Sequence, residues 1–281
     1  PAMAIALALS AALAYGSADF VGGLAARRTS PLLTAFGAQL SGLVVLLAAL
    51  PLLGPAAPIA RDLAFGAVAG LFGGLGLVLL YRALAAGPMS VVAPTTALAA
   101  SVVPIVAGIV LGERPGPLAL AGIAVSLAAI ILITREQASE HHVPAGRRVI
   151  ALALGGGAIF GLFFVFLHQT GDQAGLWPLL AARATSVPLL ALLIARQVGV
   201  RNFAVPRLSS SMMVSGTLDM GANICYLLAL RHGMLSVVAA LTGLYPASTI
   251  VLAQSHLRER LHAPQVVGLG VAACAAVLIA L

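Results

Sequence analysis

Apolar runs of about twenty residues recur along nearly the whole of this 281-residue chain, and they limit its possible folds more than any other feature. As a helix rising ~1.5 Å per residue, such a run crosses a ~30 Å hydrocarbon layer. In lipid every backbone N–H and C=O must find its partner inside the protein, which leaves helices as the form for isolated segments of this kind. Ten spans can be drawn. The first five are Ala2 to Val21, Leu32 to Leu53, Leu63 to Leu84, Ser90 to Leu111 and Leu118 to Thr134. The second five are Val149 to Leu167, Trp177 to Val198, Met212 to Leu230, Ser236 to Leu257 and Pro264 to Leu281. Composition agrees: 61% of residues are hydrophobic and 8% charged, against roughly 25% charged in soluble domains. The expected fold is all-α, a polytopic membrane protein with ten transmembrane helices.

The longest polar interval, Arg135 to Arg148, contains Glu136, Glu140, His141 and His142 and divides the chain near its middle. It reads as a linker over residues 135–148 between a first five-helix repeat, 1–134, and a second, 149–281. Sliding the sequence by 146 positions lays Gly87, Ser90, Val91, Val92, Ala93, Thr96 and Leu98 on Gly233, Ser236, Val237, Val238, Ala239, Thr242 and Leu244. The same shift lays Leu111, Glu113, Arg114 and Gly122 on Leu257, Glu259, Arg260 and Gly268, with no gap. Matches at Val and Leu carry little information between apolar helices; those at Gly, Ser, Thr and Glu-Arg carry more. An odd number of spans per repeat makes the second half enter the membrane with the opposite orientation, as an inverted repeat.

Every basic residue is an arginine. Loops after odd-numbered spans hold Arg27, Arg28, Arg82, Arg135, Arg147, Arg148, Arg196, Arg201, Arg207, Arg258 and Arg260, and even-numbered loops only Arg61, Arg114 and Arg231. Positively charged loops stay in the cytoplasm, so odd loops are predicted cytoplasmic and both termini outside. The net charge of +7 therefore reads as topology, and no nucleic-acid partner is expected. Pro1 to Leu13 has no basic stretch before its apolar run, so the first segment is expected to be retained and not cleaved as a signal. Cys225 and Cys274 lie inside apolar segments and read as core thiols, not as a disulfide or a metal site.

The stretch Tyr81-Arg82-Ala83-Leu84, followed by Ser90-Val91-Val92-Ala93-Pro94, Leu111-Gly112-Glu113-Arg114 and Gly122, resembles the drug/metabolite transporter superfamily, specifically its EamA-type domain. The pattern returns as Ser236-Val237-Val238-Ala239, Leu257-Arg258-Glu259-Arg260 and Gly268. The resemblance implies a ten-span transporter of the bacterial inner membrane. It is most similar to exporters of amino acids and related metabolites, the aromatic amino-acid exporters among them. The small four-span multidrug members of that superfamily use a membrane-embedded Glu in their first helix, and no Glu stands in this first span.

Ionisable groups inside a span are costly unless paired or hydrated, which makes Arg183 and Asp219 candidates for the solute site. If spans seven and eight are antiparallel neighbours, the two lie about 9 and about 16 Å from their shared membrane edge. An arginine side chain bridges that difference, either toward a solute or simply as a structural pair. Asp19 is expected near the end of span one, facing Arg27 or Arg28. At mid-depth Gln39, Thr96, Asn223 and Tyr245 supply neutral hydrogen-bonding groups, and Phe160 and Phe164 supply apolar wall, a mixture suited to an amphiphilic solute. Tyr15 and Tyr81 extend this set toward the odd-loop side. Pro94, Pro104, Pro188 and Pro246 interrupt helical hydrogen bonding, and Pro94 and Pro246 are candidate hinges. Gly66, Gly70 and Gly74 make a small-residue stripe for close helix contact. Trp177 is expected to anchor a span end at the interface. Spans five and ten contain no ionisable residue and are expected to face lipid or act as scaffold.

The expected function is export of small amphiphilic metabolites, neutral or aromatic amino acids, by alternating access through a central cavity. The expected partners are a small-molecule substrate and membrane lipid, with no cofactor, metal, catalytic residue or obligatory protein partner. The competing class is an intramembrane enzyme acting on a lipid-linked or peptide substrate. Its candidate groups are weak: Ser255 and His256 point about 100° apart on a helix, and His168 with Asp172 falls at a polar end and is too small a set for a metal. Gly155-Gly156-Gly157 and Gly70 to Gly76 lack the strand and crossover of nucleotide-binding loops, and nothing resembles an ion-selectivity filter.

Overall fold

The computed structural model describes residues 2–53, 56–134, 146–198, 208–257 and 263–280. The sequence-derived linker, apart from its last residues, and the second copy of the motif, Arg258-Glu259-Arg260, lie outside these. Helices α1 (Ala2–Arg28), α2 (Pro31–Ala49), α3 (Ala60–Ala86), α4 (Met89–Val110) and α5 (Pro117–Thr134) form the first half. The second comprises α6 (Arg147–His168), α7 (Trp177–Val198), α8 (Ser210–Leu230), α9 (Leu235–Thr242), α10 (Pro246–Leu257) and α11 (Ala263–Ala280). Nine stretches among the described residues are long and apolar enough to cross a membrane, one of them running through α9 and α10 as Leu235–Leu252, and Pro117–Ile133 is a shorter apolar helix. The fold is an all-α polytopic membrane protein of ten spans.

The packing follows a twofold exchange of the halves. Helix α1 lies on α8 as α6 lies on α3, and α2 lies on α8 as α7 lies on α3; α5 pairs with α11 across the axis. Four contacts show the inversion directly. The start of α1 meets the α8–α9 junction, Ala4 against Gly233, and its end meets the α3–α4 junction, where Arg27 donates to the Leu84 and Gly87 carbonyls at 3.0 and 2.9 Å. The start of α6 meets that same α3–α4 junction, Val149 against Gly87. Its end meets the α8–α9 junction, where Arg231 donates to the Thr170 carbonyl at 2.6 Å. Helices α1 and α6 therefore run antiparallel.

Small residues let these helices approach. A Cβ on Gly66 or Gly70 would overlap the α7 backbone at Pro178 or Ala182, and one on Gly74 would crowd Ser186, so the stripe on α3 faces α7. Gly216 of α8, at the position of Gly70 in the repeat, presses in the same way on the α2 backbone at Ala38. Without a hydrophobic driving force between helices in lipid, such close packing supplies the cohesion. Outer faces of α5 and α11 stay apolar and exposed, at Leu118, Leu120 and Ile131 and at Val266, Val267 and Val277.

The even-numbered loops are tied together across the halves. Asp62 holds the start of α3 through the Ile59 N–H, 3.0 Å, and accepts from the Gly171 N–H of the other half at 2.7 Å. Glu113, after α4, accepts from the Leu235 and Ser236 N–H groups and so caps α9. Helix N-termini favour such anionic partners.

Three expectations need correction. The ninth span is not one helix: it breaks after Thr242 and resumes at Pro246, whose missing N–H permits the break without forcing it, since α4 continues through Pro94. Helix α4, in contrast, runs unbroken through Pro94 and Pro104, so the two proposed hinges have different backbone settings. The first span extends to Arg28, well beyond Val21. Asp19 consequently sits deep in α1, and Arg27 reaches backbone carbonyls instead of this carboxylate.

Candidate functional site

A cavity opens where α1, α4, α6, α8 and the α9–α10 break converge, with Leu80 of α3 completing the lining. Helix α1 brings Tyr15 and Asp19, one turn apart on the same face, and α6 brings Phe160 and Phe164 with the same spacing. Helix α8 contributes Asp219 and Tyr226, α4 contributes Ser101, and the break contributes Thr242 and Tyr245. The rings form a continuous wall. Phe164 lies 4.2 Å from Tyr226 and 5.9 Å from Tyr15 between centroids, and Tyr15 lies 6.5 Å from Tyr245. The space open to water is about 30 Å³, room for two or three water molecules. The lining must move apart to admit a larger solute.

Behind Asp219 lies a polar network. Arg183 of α7 donates to Asp219 Oδ2 at 2.6 Å and, through its other terminal nitrogen, to Gln39 Oε1 of α2. Gln39 also accepts from Ser186 at 2.9 Å, and Asn223 Nδ2 reaches Asp219 Oδ2 at 3.1 Å and the Asp219 carbonyl at 2.7 Å. Arg183 and Asp219 are 5% and 8% exposed, and a charge buried so deeply requires its partner. The pair thus joins α7 to α8 while leaving Asp219 on the cavity wall.

Of the residues singled out from the sequence, Tyr15, Phe160, Phe164, Asp219 and Tyr245 line the cavity, and Gln39, Arg183 and Asn223 reach it through Asp219. Tyr81 and Thr96 stand apart. The Tyr81 hydroxyl shares a hydrogen bond with Ser215 at 2.9 Å, and Thr96 is fully buried outside the lining. Sequence reasoning missed Tyr226, Ser186 and the placement of Asp19. Tyr226 follows Asp219 and Asn223 by seven and three positions, a helical-face spacing that marks it out. Ser186 follows Arg183 by three on the same terms. Among the described residues no group of three or more His, Cys, Asp or Glu is arranged to hold a metal.

No curated protein is significantly similar to the chain. A protein known from a crystal structure matches 97% of this chain and 98% of its own, with 18% sequence identity and a TM-score of 0.68. That likeness shows a shared fold. Residues 2–135 and 147–281 each match the EamA-like transporter family, one match per five-span half. The chain belongs to the EamA-like transporter family.

Proposed function

We propose that this membrane transporter exports small amphiphilic metabolites, neutral or aromatic amino acids in particular, across the bacterial inner membrane. The cavity between the halves is the solute site, and the two halves rock to expose it to either side in turn. The observation that carries this reading is the lining itself: an aromatic wall of Tyr15, Phe160, Phe164, Tyr226 and Tyr245 closed around two buried carboxylates. Aromatic rings accept an apolar side chain, and the polar groups fix its other end.

Gln39, Arg183 and Asn223 hold Asp219 in place, so their contribution is to set the position and charge of the wall. Tyr81 and Thr96 serve the packing of the first half toward the second. Pro94 and Pro246 are the points where the helices lining the cavity flex, with the α9–α10 break the more compliant of the two because three residues there lie outside regular helix. Odd-numbered loops face the cytoplasm in this account, and both termini face outward.

The test is reconstitution. Purified protein in liposomes, challenged with a panel of labelled amino acids, is expected to accelerate counterflow of aromatic and large aliphatic neutral ones over charged ones. Equal flux of all solutes would overturn the selectivity, and chemical conversion of the solute without accumulation would point to an enzyme.

A further inference from the structure

The two carboxylates of the cavity differ in one respect. Asp219 has Arg183 and Asn223 as partners. Asp19 is 8% exposed, lines the cavity, and makes no hydrogen bond or ion pair among the described residues. A second observation points the same way: the hydroxyls of Tyr15 and Tyr226, both on the cavity wall, are buried without a hydrogen-bond partner. Unsatisfied polar groups of this kind cost free energy wherever water is excluded, and each deserves an occupant that satisfies it.

The charge balance decides what that occupant is. Arg183 holds Asp219 on the cavity wall, and both its terminal nitrogens are engaged, by Asp219 and by Gln39. Among the described residues no arginine lines the cavity, so the carboxylate of Asp19 is left facing aromatic rings. A protonated amine completes such a site. It pairs with the carboxylate, and its charge is further favoured by the ring faces of Tyr15, Phe164 and Tyr245 through cation–π attraction. The hydroxyls of Tyr15 and Tyr226 remain to bond the polar atoms next to that amine.

We propose that Asp19 is the counter-ion for a protonated amine on the transported solute, so that the cavity selects amine-bearing aromatic compounds over otherwise similar ones in which the amine is blocked. This rests on the cavity being the solute site, as argued above, and adds the group that sets its charge preference. Asp19 has no counterpart in the repeat, since Val165 occupies the matching position in α6. The preference is therefore built on one face of the cavity only.

Binding to the purified full-length protein, measured by calorimetry with two probes, tests this. Phenylalaninamide keeps the amine; N-acetylphenylalaninamide has the same ring and amide but no charge. The wild type is expected to bind the first at least tenfold more tightly, and Asp19→Asn is expected to remove that gap chiefly by weakening the first. A gap below tenfold in the wild type overturns the proposal without recourse to any variant, and so does a gap that survives in Asp19→Asn. Asp19→Glu, which keeps the charge, is expected to retain the gap. Failure of the wild type to bind either probe, together with no counterflow of any aromatic solute, would instead bring down the cavity reading itself; counterflow with equal binding of the two probes removes only the role of Asp19.

Discussion

Helices α3 and α8 occupy equivalent places in the two halves, yet one is a packing element and the other carries the chemistry. Both press a glycine into the neighbouring half, Gly70 against the Ala182 backbone and Gly216 against the Ala38 backbone. They part company one turn later: α3 has Gly73 and Leu77 where α8 has Asp219 and Asn223. Gly73 faces the ring of Phe163, whereas Asp219 faces the cavity. The repeat has kept what the twofold contact demands and diverged where the two helices meet different surroundings. Arg183 follows the same rule, with Gly37 as its counterpart in α2. Symmetric architecture here supports an asymmetric site.

The largest effect is expected at the shared glycines. Gly70→Val and Gly216→Val each drive a branched side chain into backbone that cannot move aside. Both are expected to lose the folded protein, by more than about 3 kcal/mol, seen as loss of the monodisperse peak in detergent. If one tolerated Val, the two contacts would not be equivalent.

Asp219→Ala comes next. It strands the Arg183 guanidinium in a buried setting, and breaking such a pair costs about 3–5 kcal/mol. Gly73→Ala, at the matching position of α3, meets only the Phe163 ring and is expected to lower the melting temperature far less. Comparable shifts from the two would argue against a buried pair in α8.

The helix starts differ as well. In α3, Asp62 accepts from two backbone N–H groups, one of them across the halves at Gly171. In α8, Ser209 accepts one, from Met212, at a long 3.3 Å. Asp62→Ala is expected to cost about 1–2 kcal/mol and Ser209→Ala about 0.5 kcal/mol, both read from thermal unfolding in detergent. Reversal of that order would contradict the cross-half role of Asp62.

Much of the architecture was legible because lipid imposes so few solutions. Apolar length located the helices, and the matches from Gly87 to Gly122 and from Gly233 to Gly268 exposed the repeat. The Arg183–Asp219 contact was foreseeable, since two buried charges on adjacent spans, at depths that an arginine side chain can bridge, need one another. The α9–α10 break was harder to see. Pro246 stands in an apolar run much as Pro94 does, and helix α4 passes through Pro94 intact while the chain at residues 243–245 departs from regular helix. Tertiary packing, not local sequence, separates these outcomes. Asp19 was misread for a related reason. Nearness in sequence to Arg27 and Arg28 suggested a pairing, but α1 continues past the expected span end and carries those arginines a further two turns away from the carboxylate. Tyr226 lay hidden among apolar neighbours, and only its spacing from Asp219 assigns it to the cavity face.

Counterflow of labelled phenylalanine, in liposomes containing equal amounts of folded wild type, Phe164→Ala, Tyr245→Ala and Asn223→Ala, shows whether the solute passes through this cavity. Removing an aromatic wall residue or a group that positions Asp219 is expected to lower the rate at limiting solute about tenfold in each, with folded yield retained. Wild-type rates from all three variants, for phenylalanine and every other solute of the panel, would show that the solute does not pass through this cavity.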